Sequence, residues 1–448
     1  VIRPDALFDG AELDAVRRLR PSGAADPDFA ADGEPSGESG CARSALVDAA
    51  ARCGWNSLTE PGDSVAALLI ERVGAAEAFA HVVSSSSAEE ILAPPHRAPS
   101  DEGGAALAPL DSEVAALQSG LARWRPRLDR RLLFRRLEIA ERLGARLLLP
   151  GAPVWPESLD DLGPHAPLLL WLRGDPAAFD PPHRLALVGA RAATGYGEHV
   201  AAELAAGVAA RGVSVVSGGA FGIDAVAHRA ALGSGGRTVA FLAGGADRLY
   251  PTAHADLLHR IIATPGCAVA TEVPPGTTPT RWRFLQRNRL IAASTSATVV
   301  VEAGARSGSL NTAGHAAALG RPLGAVPGPV TSASSAGCHR LFREYAATCV
   351  TSPPDVLELL GVGDEDGPTD GRTEAEARVL QHLTERVEGC GAAAIAAETG
   401  QTSADTIAAL GSLLSEGLAV QTETGQWRRG ARAAREARSP APERDGSV

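Results

Sequence analysis

The spacing of apolar side chains changes character three times along this 448-residue chain. In the first 120 residues, ALVDAAARCGW and VAALLIERVGAAEAFAHVV place apolar side chains near helical spacing and predict helices. PSGAADPDFAADGEPSGESG and SSSSAEEILAPPHRAPSDEGG interrupt them. Both are rich in Pro, Gly, Ser and acids, too polar to bury, and expected to be disordered. Residues 121–182 carry another helical pattern around RRLLFRRLEIAERLGA, then the turn-rich PVWPESLDDLGPHAPLLLWLRGD, and predict a helical lead-in.

From residue 183 the texture becomes strand-like. LALVGA, VSVVSGGA, RTVAFLAGG, CAVATEV, ATVVVEAG and PLGAVPG begin at 185, 213, 237, 267, 297 and 322, with alanine-rich helical stretches in the gaps. Near-continuous apolar runs alternating with helices predict parallel strands covered on both faces: a doubly wound, Rossmann-like α/β core over 183–361. An acidic, Gly-rich linker follows at 362–373. Residues 374–430 then read as helix, helix-turn-helix and short hairpin, a winged-helix module, and 431–448 as a tail.

Composition alters this picture in two places. Six cysteines without a CxxC pair predict reduced structural thiols rather than disulfides or a zinc site. With no apolar run of roughly 18 residues and no charged-then-apolar leader, the expected location is cytoplasmic. The second change concerns charge. A formal net charge of -11 argues against a polyanionic partner, yet 183–345 holds 15 Arg against 8 acids, a balance of +7 that leaves -18 for the rest. The α/β core is a basic island, which points to a polyanion.

In an open α/β sheet, ligands bind beyond the carboxyl ends of the strands. There the sequence places Gly189 and Arg191 in VGARAATGYG, Gly218 and Gly219 in SGGAFGIDAVAH, and Arg306, Ser307 and Gly308 in EAGARSGSLNTA. Small residues, backbone amides and arginines suit phosphate. The run RWRFLQRNR adds Arg281, Phe284, Arg287 and Asn288. Val200 breaks a GxGxxG fingerprint. A P-loop is missing, as is a carboxylate cluster for magnesium, so neither cofactor nor catalyst is expected. Arginines for phosphates and a ring for a base are the chemistry of single-stranded nucleic-acid binding. Other readings stand beside it. Phe284, Leu285, Leu290 and Ile291 could form a buried helix stripe. Arg287 and Arg289 could be internal partners of Glu302 or Glu272. Asp224 and His228, four residues apart, read as an ordinary helix-face contact rather than a catalytic pair.

These motifs, with FLQRNRLIAAST and GGRTVAFLAGGADRLYP, resemble in order and spacing the DNA-processing protein A (DprA/Smf) family over about 155–350. The resemblance implies a single-stranded DNA binder that loads a RecA-type recombinase during natural transformation. It also implies dimerisation through an extended Rossmann domain and no established catalytic activity. The family's DNA pocket uses an arginine matching Arg191 and a basic residue and phenylalanine matching Arg281 and Phe284. Ala190 replaces the usual serine, Arg281 the common lysine, Leu285 a frequent proline and His339 the usual asparagine. Two rivals remain: a nucleotide N-glycosidase of the lysine-decarboxylase-like group, whose PGGxGTxxE acid has no counterpart in EAGARSGSLNTA, and a nucleotide-sensing module.

Overall fold

The computed structural model describes residues 2–20, 40–93, 111–362, 373–385, 389–422 and 424–430. Residues 21–39 and 94–104 of the two segments expected to be disordered, most of the linker and the tail at 431–448 lie outside the described residues. The chain forms two compact units, 1–362 and 363–448.

Among its described residues the first unit opens with seven helices: α1 (Gly10–Leu19), α2 (Gly40–Leu58), α3 (Ser64–Val73), α4 (Ala75–Val83), α5 (Ala88–Leu92), α6 (Asp111–Trp124) and α7 (Arg130–Arg142). One of them corrects an expectation. AEEIL, inside a stretch predicted to be disordered, forms α5 because Ser87 and Glu90 close a reciprocal capping box. These helices share a core in which Trp55 and Trp124, both fully buried, meet edge to face at 5.0 Å.

Nine strands follow: β1 (Arg146–Leu148), β2 (Leu170–Gly174), β3 (Arg184–Val188), β4 (Ser214–Ser217), β5 (Thr238–Phe241), β6 (Ala268–Thr271), β7 (Ala297–Val300), β8 (Leu323–Ala325) and β9 (Thr348–Cys349). They form one sheet in the order β1-β2-β6-β5-β4-β3-β7-β8-β9, parallel from β6 to β9. β1 and β2 extend it antiparallel. The helical lead-in expected for 121–182 therefore contributes two strands, with Leu170, Trp171 and Leu172 buried in the sheet. Helices α8 (Gly195–Ala209), α9 (Ile223–Gly233), α10 (Ala255–Ala263), α11 (Arg281–Ala293), α12 (Ser309–Ala318), α13 (Ala336–Glu344) and α14 (Pro353–Leu359) cover the two faces. Strands β4 to β7 are buried at every position, as two covered faces require.

The order of connection positions the site. From β3 the chain moves outward through β4, β5 and β6, then returns to place β7 on the other side of β3. The loops after β3 and β7 therefore diverge and leave a crevice at the carboxyl edge.

The second unit contains α15 (Glu374–Glu385), α16 (Ala392–Thr399), α17 (Ser403–Ser415) and an antiparallel pair, β10 (Ala419–Gln421) with β11 (Trp427–Arg429). Val379, Leu383, Ile395, Leu410 and Leu413 fill its small core. Among the described residues no helix is long and apolar enough to cross a membrane. Cys53, Cys267, Cys338 and Cys349 are free thiols.

Candidate functional site

The crevice between the β3 and β7 loops is an open cleft of about 1000 Å³. Arg191, Arg281, Arg287 and Arg306 line it, and Asp224 is the single acid among the lining residues. Phe284 stands inside. The Arg191 guanidinium lies 4.9 Å from its ring centroid and that of Arg287 5.9 Å. Tyr250 packs against the same ring at 5.9 Å, tilted by 58°. The site thus presents a cation over an aromatic face with a second ring beside it, half open to solvent.

α11 supplies most of these groups. Thr280 caps it, its hydroxyl accepting from the Arg283 amide at 3.3 Å. The first turn then holds Arg281 and Arg283 and no acid. Cations at a helix N-terminus oppose the macrodipole, so this arrangement does not stabilise the helix in isolation. It concentrates positive potential where an anion approaching the cleft would meet it.

RWRFLQRNR divides residue by residue. Arg281 is exposed and has no hydrogen-bond or ion-pair partner among the described residues. Trp282 is 57% exposed. Arg283 is committed elsewhere: it grips Glu60 with bonds of 3.0 and 3.1 Å and donates to the Thr278 carbonyl at 2.9 Å. Phe284 and Leu285 line the cleft, Ile291 lines it as a buried residue, and Leu290 is buried away from it, so the expected apolar stripe is shared between cleft and core. Arg287 is buried on the cleft floor and donates to the Phe241 carbonyl at 2.8 Å. Asn288 ties α11 to the β7 loop, donating to the Gly308 carbonyl at 3.3 Å and the Asn311 side chain at 3.2 Å. Arg289 is fully internal, paired bidentately with Glu272 at 2.5 and 2.6 Å and donating to the His165 carbonyl at 2.9 Å. Glu302, the other partner considered for these arginines, instead accepts from the Thr194 amide and hydroxyl at 2.9 and 2.7 Å and from Ser334 at 3.1 Å.

The loop after β4 packs inward. Gly218 and Gly219, expected as part of a phosphate cradle, do not line the cleft. A Cβ on Gly218 would sit 1.7 Å from a guanidinium nitrogen of Arg287, so this glycine seats an internal arginine. The Gly218 and Ala220 amides donate to the Asp224 carboxylate at 3.1 and 3.3 Å and face inward. Burial holds Asp224 above the ordinary carboxylate range against the pull of Arg287 and these amides. Burial also brings Arg287 down to about 10, with Asp224 opposing, which leaves the guanidinium charged at neutral pH. His228 shares no hydrogen bond with Asp224: its Nδ1 lies 2.7 Å from the Thr238 hydroxyl, and burial lowers it to about 3.

Gly189 and Arg191 lie in the cleft, as do Arg306, Ser307 and Gly308 across from them. Arg306 is exposed, and the Ser307 hydroxyl lies 2.7 Å from that of Ser309. Thr312 also lines the cleft, as do Tyr250 and Asn311, which were not among the sequence candidates. Tyr250 could have been found, since GGADRLYP follows a core strand at its carboxyl end. Among the described residues no group of His, Cys, Asp or Glu could hold a metal ion.

Comparison with known proteins bears on this geometry. The family model for DNA recombination-mediator protein A matches residues 146–361. DNA processing protein DprA of Mycobacterium tuberculosis is 50% identical over 315 residues, covering 65% of this chain and 79% of that protein. DNA processing protein DprA of Bacillus subtilis is 33% identical over 213 residues, covering 46% and 68%. The X-ray structure of DNA processing protein A from Streptococcus pneumoniae matches with a TM-score of 0.54 at 27% identity, over 69% of this chain and 96% of that one.

Proposed function

Because the chain belongs to the DprA/Smf family of DNA recombination-mediator proteins, we propose that its cleft binds single-stranded DNA without sequence preference. Arg191, Arg281 and Arg306 meet phosphates, and Phe284 stacks a base. The observation that carries this reading is the Arg191–Phe284 pair, flanked by exposed arginines that the protein does not itself neutralise. Arg287, Asn288, Gly218 and Gly219 then brace the pocket rather than touch DNA. Binding rather than base release is favoured because Asp224, the one lining carboxylate, is occupied by two backbone amides.

The finer role rests on the family. As a homodimer in the cytoplasm, the protein delivers bound strands to a RecA-type recombinase in natural transformation and recombination, without catalysis of its own. Residues 374–430 act as a winged-helix module that contacts a protein partner.

Arg281→Ala is expected to weaken binding to all sequences alike and to flatten the dependence of log K on log salt by about 0.7, one phosphate for a single strand. Fluorescence anisotropy with dT and mixed-sequence oligomers at several salt concentrations measures both. An unchanged slope removes Arg281 from the contact. A mononucleotide that binds as tightly as an oligomer would favour the nucleotide-sensing reading instead.

Trp282 offers a direct optical readout. Trp55, Trp124, Trp155 and Trp171 are buried, and Trp282 adjoins Arg281 in the open. A bound oligomer is expected to shield Trp282 from iodide quenching, and Trp282→Phe to abolish most of that change. Equal iodide access with and without oligomer would place the strand away from the start of α11.

A further inference from the structure

Phe221 is the only exposed phenylalanine among the described residues, 47% accessible. Nothing in the cleft as described uses it. Its surroundings fix it firmly. One neighbour in sequence, Ala220, lines the cleft. The other, Gly222, adopts a left-handed conformation (φ 72°) and presses so closely on the Arg191 loop that a Cβ would fall 2.2 Å from the Ala190 carbonyl oxygen and 2.6 Å from that of Arg191. The Ile223 amide donates to the same Ala190 carbonyl at 3.2 Å. The loop carrying Phe221 is therefore fastened to the loop carrying Arg191.

The ring itself is backed. His254 lies against it, with centroids 4.6 Å apart and planes inclined by 59°. His254 is buried, and its Nδ1 lies 3.1 Å from the Gly219 carbonyl oxygen. One side of Phe221 is thus supported by an immobilised ring, and its accessible side is left to solvent beside the cleft.

From this we propose that Phe221 is a second base-stacking platform, which takes a nucleobase of the same strand after it leaves the Phe284 cleft past Arg191. The inference rests on the cleft being the DNA site. The occupant follows from continuity: the rim on which Phe221 stands is shared with Arg191, and a strand whose phosphate lies on Arg191 carries its neighbouring base toward this rim. A flat ring accepts any base, so the platform lengthens the footprint without adding sequence preference.

The test compares dT oligomers of about four and about twelve nucleotides, the span of single-strand site sizes. Phe221→Ala should leave the short oligomer unaffected and weaken the long one by roughly 5- to 150-fold, the range for one stacked base. Phe221→Tyr should restore the long-oligomer affinity, since it keeps the ring. Thermal melting of the variants guards against loss of fold, which the ring's exposure makes unexpected. If Phe221→Ala binds both lengths as the parent does, or loses both equally, the platform is overturned while the cleft stands. If the parent chain binds neither oligomer, it is the cleft reading that fails.

Discussion

Arg289→Ala is expected to destabilise the first unit by about 3–5 kcal/mol, the cost of stranding one member of a buried ion pair. Both side chains are nearly inaccessible, at 3% for Arg289 and 8% for Glu272, and the pair is bidentate. Removing the guanidinium leaves the Glu272 carboxylate buried without its counter-charge. The substitution also frees the His165 carbonyl. Denaturant unfolding followed by far-UV circular dichroism measures the loss. Replacing both residues together, Arg289→Met with Glu272→Leu, should recover most of it, because the desolvation penalty disappears with the charges. A single variant that loses less than about 1 kcal/mol would mean that solvent reaches the pair after all.

The second large effect concerns binding. Phe284→Ala is expected to weaken the affinity for a dT oligomer by ~1–3 kcal/mol, the value of one stacked base. Arg191 should lose its cation–π contact, since its guanidinium rests over the same ring, while keeping its charge for the phosphate. Two features separate this variant from Arg281→Ala. The loss should persist at high salt, because stacking is not screened as phosphate contacts are, and the salt slope should stay near that of the parent. A double-mutant cycle with Arg191→Ala should be non-additive, as the two side chains share one contact. The ring is only half-buried, so the variant should melt with the parent. A collapse of the fold would instead assign Phe284 to the core, and an undiminished affinity would falsify the stacking role.

Much of the fold was legible because parallel strands buried on both faces write themselves as apolar runs. LALVGA through PLGAVPG each begin within one residue of a strand. β1 and β2 were missed for a physical reason as well. They are three and five residues long, they pair antiparallel, and PLLLWLRG has the length and content of either a strand or a buried turn. Within the site, the presence of arginines and a ring was readable, but their division of labour was not. Arg283 and Arg281 are indistinguishable by composition. They differ because Glu60, 223 residues upstream, comes to rest beside one and not the other. Arg289 against Glu272 was among the pairings the sequence allowed, being only 17 residues apart. Gly218 shows the opposite case. A small residue beyond a strand reads as room for a phosphate, and here that room is taken by the protein's own guanidinium.

One feature of α11 bears on where the working protein can be divided. On one side the helix faces the cleft. On the other it is held by the amino-terminal layer: Glu60 grips Arg283, and the Asn56 amide donates at 2.6 Å to the carbonyl of Glu272, the residue that anchors Arg289. The stretch matched by the family model begins at residue 146 and contains every cleft arginine but neither Asn56 nor Glu60. The recognisable segment and the autonomous folding unit are thus different objects. A chain cut at the edge of its family likeness would keep all the groups that meet DNA and lose part of the scaffold that aims them.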